Sequence, residues 1–205
     1  MRGKKHKKRA KPCPFWVTVW RDSLLRLKKT VAMVGMMGAG KTAVGTAVAR
    51  ILGVPFLDSD EEIVRAANRS IAEIFEGDGE PFFRARESEV LARLLRGDPC
   101  ILSTGGGAFL AQSNRQLISE AGVAVWLRAD LDLLWQRVRH KTSRPLLRTP
   151  DPRGTLAALS KARSPLYANA AIVVDAEPKL PIEAMARKVS AALKTHPDVL
   201  EEMSE

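Results

Sequence analysis

Short apolar runs alternate along this chain with stretches whose apolar residues recur every three or four positions. Val31 to Val34 reads as a buried strand, and after it Val44, Val48, Ile51 and Leu52 recur at helical spacing. Pro55-Phe56-Leu57 is a second short strand. Ile71, Ile74 and Phe75 mark a helical turn over 70–75, which Gly77-Asp78-Gly79 breaks. Residues 80–96 then read as a strong helix with Phe83, Val90, Leu91, Leu94 and Leu95 toward the core. The alternation continues with strands over 100–103, 123–127 and 171–174 and helices over 112–121, 131–138, 156–170 and 182–193. Strand followed by helix, repeated, predicts an α/β fold: a parallel sheet of about five strands with helices on both faces. The sequence shows no internal repeat, and its apolar runs fall far below the ~18 residues of a membrane span.

Charge changes the picture at one end only. The formal net charge is +10, yet residues 1–30 hold eleven Lys or Arg against the single acid Asp22. The other 175 residues carry 22 charges of each sign, so the domain itself is electrically balanced. Residues 1–12, MRGKKHKKRAKP, repel themselves and are expected to be disordered. Three readings of them compete: a solvated tail, a weak polyanion binder, or a targeting segment. No long apolar stretch follows, which speaks against a secretory signal, and the segment lacks the Ser enrichment of organelle transit peptides. Residues 23–29 read as a short amphipathic turn. Two cysteines without paired spacing, Cys13 and Cys100, point to a reducing compartment and against a disulfide framework or zinc site.

The chemistry begins where the first strand stops. GMMGAGKT fits G-x-x-x-x-G-K-[ST] at Gly35, Gly40, Lys41 and Thr42, between a strand and a helix, which is the context a P-loop requires. Such a loop points backbone N–H groups at an anion, and the following helix adds its positive end. Lys41 would reach the β- and γ-phosphates, and the Thr42 hydroxyl would ligate Mg²⁺. Asp58-Ser59-Asp60 ends the next strand at the edge where α/β sheets bind ligands, and strand geometry would point Asp58 and Asp60 the same way. The alternative is a helix N-cap within this triplet. Thr104-Gly105-Gly106-Gly107-Ala108 implies close approach to the backbone, or else a plain turn. Arg84, Arg86, Arg93 and Arg96 read as solvated helix charges or as partners for Glu87 and Glu89. Arg137, Arg139, Arg144, Arg148 and Arg153, punctuated by Pro145, Pro150 and Pro152, read as a mobile lid over the phosphates, or as an exposed loop.

From Val31 to Leu193 the chain resembles the shikimate kinase family, of the nucleoside-monophosphate-kinase-like P-loop fold. The resemblance rests on GMMGAGKT, DSD, FFRARE, TGGGA, SRPLL and KARSPLY, in the family's order and spacing. It implies a three-layer P-loop kinase with a five-stranded parallel sheet and a mobile lid over about 139–153. ATP and Mg²⁺ are the implied cofactors and shikimate the implied substrate, phosphorylated at its 3-hydroxyl. Gly38, Ala39, Gly40, Lys41, Thr42 and Ala43 would hold the ATP phosphates, with Thr42 and Asp58 serving the metal. Asp60 would bond the shikimate hydroxyls and act as base, while Arg84 and Arg163 would grip its carboxylate. Gly105, Gly106 and Gly107 would pass along the ring, with Gly106 offering its N–H. Phe75 and Phe83 would pack near the substrate, and Glu87 would orient Arg84. Arg144 would meet the nucleotide phosphates from the lid, and Arg137 and Lys179 fall where the family contacts adenine.

The implied organisation is a basic extension over 1–29, a kinase domain over 30–195 and a tail over 196–205. The resemblance further implies a cytoplasmic monomer with no membrane contact. Nucleic-acid contact by the basic extension would be at most accessory. A gluconate or nucleotide kinase of the same fold is the nearest rival, and a silent scaffold is another. The pair Arg84 and Arg163 argues for a carboxylate-bearing acceptor.

Overall fold

In the computed structural model, which describes residues 25–140 and 145–202, the apolar run after Lys29 lies at the centre of the molecule. The elements run β1 (Leu25–Leu27), β2 (Thr30–Val34), α1 (Lys41–Leu52), β3 (Phe56–Asp58), α2 (Ser59–Ala67), α3 (Ile71–Leu95), β4 (Ile101–Ser103), α4 (Gln112–Ala121), β5 (Gly122–Arg128), α5 (Leu131–Val138), α6 (Pro152–Tyr167), β6 (Ile172–Asp175), α7 (Ile182–Lys194) and β7 (Leu200–Glu202). Five strands pair in parallel in the order β3-β4-β2-β5-β6. Val31 to Val34 on β2 have no exposed surface, as a strand covered on both faces requires.

The strand order places the helices. The step from β2 to β3 runs one way across the sheet, and the steps β3 to β4 and β4 to β5 run the other way. Right-handed crossovers therefore put α1 on one face and α3 and α4 on the opposite face. The contacts agree, since α1 packs against α7 and α3 against α4. Because all five strands point the same way, the P-loop, Asp58 and the triglycine turn leave β2, β3 and β4 at one shared edge.

Local chemistry sets the helix ends. A capping box at α3 pairs the Ser70 side chain with the Glu73 N–H and the Glu73 side chain with the Ser70 N–H. The expected break in this region falls at Gly79, whose φ of 80° and ψ of 172° interrupt α3, and Pro81 follows where a helix start tolerates it. Asp58 caps α2, accepting from the Asp60 N–H at 3.0 Å.

Three sequence expectations change. Helix α2 starts at Ser59, so Asp60 sits in its first turn and not on the strand; the strand-based alignment of Asp58 with Asp60 does not hold. Helix α6 starts at Pro152, capped by Asp151, so the irregular segment is shorter than 139–153. Residues 25–27 form a strand rather than a helical turn: β1 pairs antiparallel with β7, with Leu27 opposite Leu200, both buried. Lys28 donates its N–H to the Val199 carbonyl at 2.8 Å, and Lys29 pairs with Asp198 at 2.8 Å. The boundaries expected at 29 and 196 thus fall within ordered structure. Residues 1–24, and with them the basic block and Cys13, lie outside the described residues, as do 203–205 and lid residues 141–144, including Arg144. Among the described residues no helix is long and apolar enough to cross a membrane.

Candidate active site

The P-loop joins β2 to α1 through backbone that side chains resist. Gly38 and Gly40 have φ of 84° and 99°, in the left-handed region. Among the described residues no side chain caps α1, and a helix N-terminus of this kind offers its first N–H groups to an anion. The Lys41 ammonium donates to the carbonyls of Gly35 at 2.9 Å and Met36 at 3.3 Å, which stations its charge inside the loop. From α5, Arg137 donates to the carbonyls of Gly38 at 3.2 Å and Ala39 at 3.1 Å. Thr42 and Ala43 are exposed at the start of α1. Lys179 is exposed on the turn between β6 and α7, with φ of 65°.

Beside the loop lies a group of hard oxygens. Thr42 donates its hydroxyl to Asp58 Oδ2 at 3.1 Å and lies 3.2 Å from Ser103 Oγ. One Asp58 carboxylate oxygen caps α2, as the N-cap alternative expects, and the other accepts from Thr42 at the start of α1. Nothing in the local sequence marks Ser103. Its place follows from register, since β3 and β4 set Asp58 and Ser103 directly opposite each other.

The triglycine turn forms the opposite wall. A Cβ on Gly105 would lie 2.7 Å from Asp60 Oδ1 and 2.9 Å from Glu87 Oε1, and one on Gly107 would lie 2.4 Å from Arg84 Nη1. Two carboxylates and a guanidinium are therefore packed directly onto this backbone, which only glycine permits. Arg84 donates to Glu87 at 2.8 Å and to Glu80 at 3.0 and 3.2 Å. Its guanidinium stands 5.2 Å from the centroid of the Phe83 ring. Phe83 in turn meets Phe75 at 4.6 Å between centroids, with Phe83 buried and Phe75 partly exposed. On the far side, Arg163 approaches the Gly106 carbonyl at 3.5 Å.

Electrostatics single out Glu87. Burial pushes its carboxyl above the ordinary 4.5; the Arg84 ion pair opposes this, and Asp60 and Glu80 add to it. Glu87 is 1% exposed, and among the described residues its Oε1 has no hydrogen-bond partner. For Arg84, burial works against the charge, but the bonds to Glu87 and Glu80 outweigh it and hold the guanidinium above its usual range.

A P-loop, a carboxylate helix cap and a paired arginine beside three glycines match a known pattern. A family model described as shikimate kinase matches residues 37–194. The chain belongs to the shikimate kinase family. A shikimate kinase of Cereibacter sphaeroides is 68% identical over 181 residues, covering 88% of this chain and 90% of that protein. One from Ruegeria pomeroyi is 67% identical over 175 residues, covering 85% and 90%. Among solved structures, a shikimate kinase from Acinetobacter baumannii in complex with shikimate superposes with a TM-score of 0.77 at 38% identity, covering 82% of this chain and 93% of that one.

Shikimate kinases transfer a phosphoryl group from ATP to shikimate in aromatic amino-acid biosynthesis, and that is the activity of this chain. The fold is the family's α/β P-loop kinase. Magnesium, the family's metal, suits the residues present: Thr42, Asp58 and Ser103 supply oxygen donors beside the P-loop. Among the described residues no group of three His, Cys, Asp or Glu could hold a metal by itself.

Proposed function

We propose that phosphoryl transfer takes place between the P-loop and the triglycine turn, with Asp60 serving the acceptor hydroxyl. The observation that carries this reading is the convergence of Arg84 and Arg163 on the triglycine turn beside Asp60. Two planar cations at one wall suit a carboxylate-bearing acceptor.

In this reading the N–H groups of Gly38 to Ala43 and the Lys41 ammonium hold the ATP phosphates, with Arg137 and Lys179 toward the adenine. Thr42 and Asp58 would hold magnesium, which when bound with the nucleotide offsets phosphate charge. Arg84 and Arg163 grip the shikimate carboxylate, Glu87 stations Arg84, and Phe75 and Phe83 pack along the substrate. Gly105 to Gly107 pass along the ring. Asp60 accepts the proton of the 3-hydroxyl as its oxygen bonds to the γ-phosphorus and the bond to the β-phosphate oxygen breaks, releasing ADP. Arg144 is assigned, from sequence, to the charge on the transferring group. The same reading has the protein acting as a monomer in the cytoplasm, where the buried Cys100 thiol stays unpaired.

A coupled ADP-release assay with Mg-ATP tests the reading, with gluconate and AMP as control acceptors. Shikimate-dependent release is expected, and release with a control alone would overturn the acceptor assignment. Removing one arm of the carboxylate clamp should show in binding. Arg163→Ala is expected to raise the shikimate KM about 10- to 100-fold, the loss of a charge-assisted bond, with the ATP KM within a factor of two. An unchanged shikimate KM would remove Arg163 from the clamp.

Glu87 gives a pH signature. The native state holds its proton more tightly than the unfolded chain, so its contribution lowers stability as pH rises from 4.5 through the raised folded value. Ionised Glu87 is the form that pairs with Arg84, so shikimate KM should rise on acidification, with an apparent pKa above 4.5. Glu87→Gln is expected to raise that KM about tenfold at neutral pH and to abolish the acid rise. A KM profile identical to that of the parent enzyme would refute the role.

A further inference from the structure

Two buried hydroxyls outside the expected set of site residues grip the triglycine turn. Tyr167 is 1% exposed and donates its hydroxyl to the Gly106 carbonyl at 2.6 Å. Ser59, fully buried at the start of α2, accepts from the Gly105 N–H at 3.1 Å. The two bonds lie on either side of the Gly105–Gly106 peptide. They fix the backbone entering Gly105 and leaving Gly106, and so the direction in which the N–H between them points. Glycine has no Cβ to limit its own dihedrals, so without such anchors a run of three would sample many orientations.

The anchors also connect the parts of the site. Tyr167 lies four residues after Arg163 on α6, one turn apart on one helix face, and both reach the same Gly106 carbonyl. The Tyr167 hydroxyl is 4.0 Å from Met36 Sδ, within the P-loop. Ser59 stands between Asp58 and Asp60, so the bond to Gly105 also fixes the first turn of the helix that carries Asp60. Burial keeps the Tyr167 hydroxyl protonated, and hence a donor, although Arg163 opposes this.

We infer that Ser59 and Tyr167 are positioning residues for the acceptor: they clamp the triglycine turn so that its N–H groups, Asp60 and Arg163 face shikimate in one arrangement. This rests on the reading that the triglycine turn lines the shikimate site. Neither residue touches substrate in that reading, and each acts through the backbone it holds. The clamp belongs to the acceptor side, so its loss should separate the two substrates.

The test is steady-state kinetics of Tyr167→Phe, with both KM values and kcat measured beside Gly107→Ala. Tyr167→Phe keeps the ring that packs 6.0 Å from Trp126 and removes only the hydroxyl. The expected result is a 5- to 10-fold rise in shikimate KM, the net worth of one buried hydrogen bond, with the ATP KM within twofold. Gly107→Ala, whose methyl would displace the Arg84 guanidinium, should raise shikimate KM as well. A rise with Gly107→Ala but none with Tyr167→Phe overturns the clamp and leaves the site reading standing; no rise with either overturns both. Equal rises in both KM values for Tyr167→Phe would mark a general structural role and also overturn the clamp. Should Tyr167→Phe fail to fold, Ser59→Ala is read by the same criteria.

Discussion

Lys41→Ala is expected to lower kcat by about 10³-fold or more while the protein unfolds at nearly its normal temperature. Lys41 is half-buried at the first position of α1. Its ammonium is held by two loop carbonyls, at 2.9 and 3.3 Å, and its charge lies where the β- and γ-phosphates are expected to come. Losing a preorganised cation from such a place removes stabilisation that grows as charge moves toward the leaving oxygen. The ATP KM should therefore rise less than kcat falls. Circular dichroism and thermal melting on the same sample separate chemistry from folding. A folded Lys41→Ala enzyme with normal kcat would remove Lys41 from the reaction.

Asp60→Asn should cost about 10² to 10⁴ in kcat, the usual range for losing a positioned general base. The change is nearly isosteric, and the amide can still occupy the space beside Gly105, where Asp60 Oδ1 now lies. What it cannot do is accept a proton. Shikimate affinity should fall less than tenfold, because an amide oxygen still accepts a hydrogen bond from a substrate hydroxyl. If kcat held while KM rose, Asp60 would be a binding group and the acceptor hydroxyl would lose its proton elsewhere.

The parts of the site legible in the sequence were those written in local spacing. The P-loop needs only residues 35–42, and the strand and helix on either side of it follow from apolar periodicity. The glycines at 105–107 announced a close approach, but not what approached; Arg84 comes from α3, far away in sequence, and nothing in its own helix marks it out. Ser103 carries no local signal, and Ser59, open to reading as an N-cap, carries none for its bond to Gly105, for a related reason. Each acts only through a neighbour that strand register or a loop contact supplies. Tyr167 stands inside the KARSPLY motif, yet a buried tyrosine hydroxyl declares its role only when its acceptor is known. Strand geometry misplaces Asp60, because α2 begins at Ser59 and puts Asp60 in its first turn. The strands β1 and β7 leave no pattern in the sequence, because three residues are too few to show a period and charged residues dominate around them.

That small sheet has a use for protein engineering. In the β1–β7 ladder Leu25 stands opposite Glu202, so the two ends of the described domain already form the open end of a hairpin. A tight loop of the two- to five-residue kind could join Glu202 to Leu25, and new ends could be cut at the exposed turn around Gly97 and Asp98, away from the P-loop and the triglycine wall. Such a circularly permuted enzyme would begin on β4 and carry its phosphate loop in mid-chain, with the five parallel strands still in the same order. Residues 1–24 would be left out of the permuted chain, which gives a direct way to ask what residues 25–202 do without the basic block.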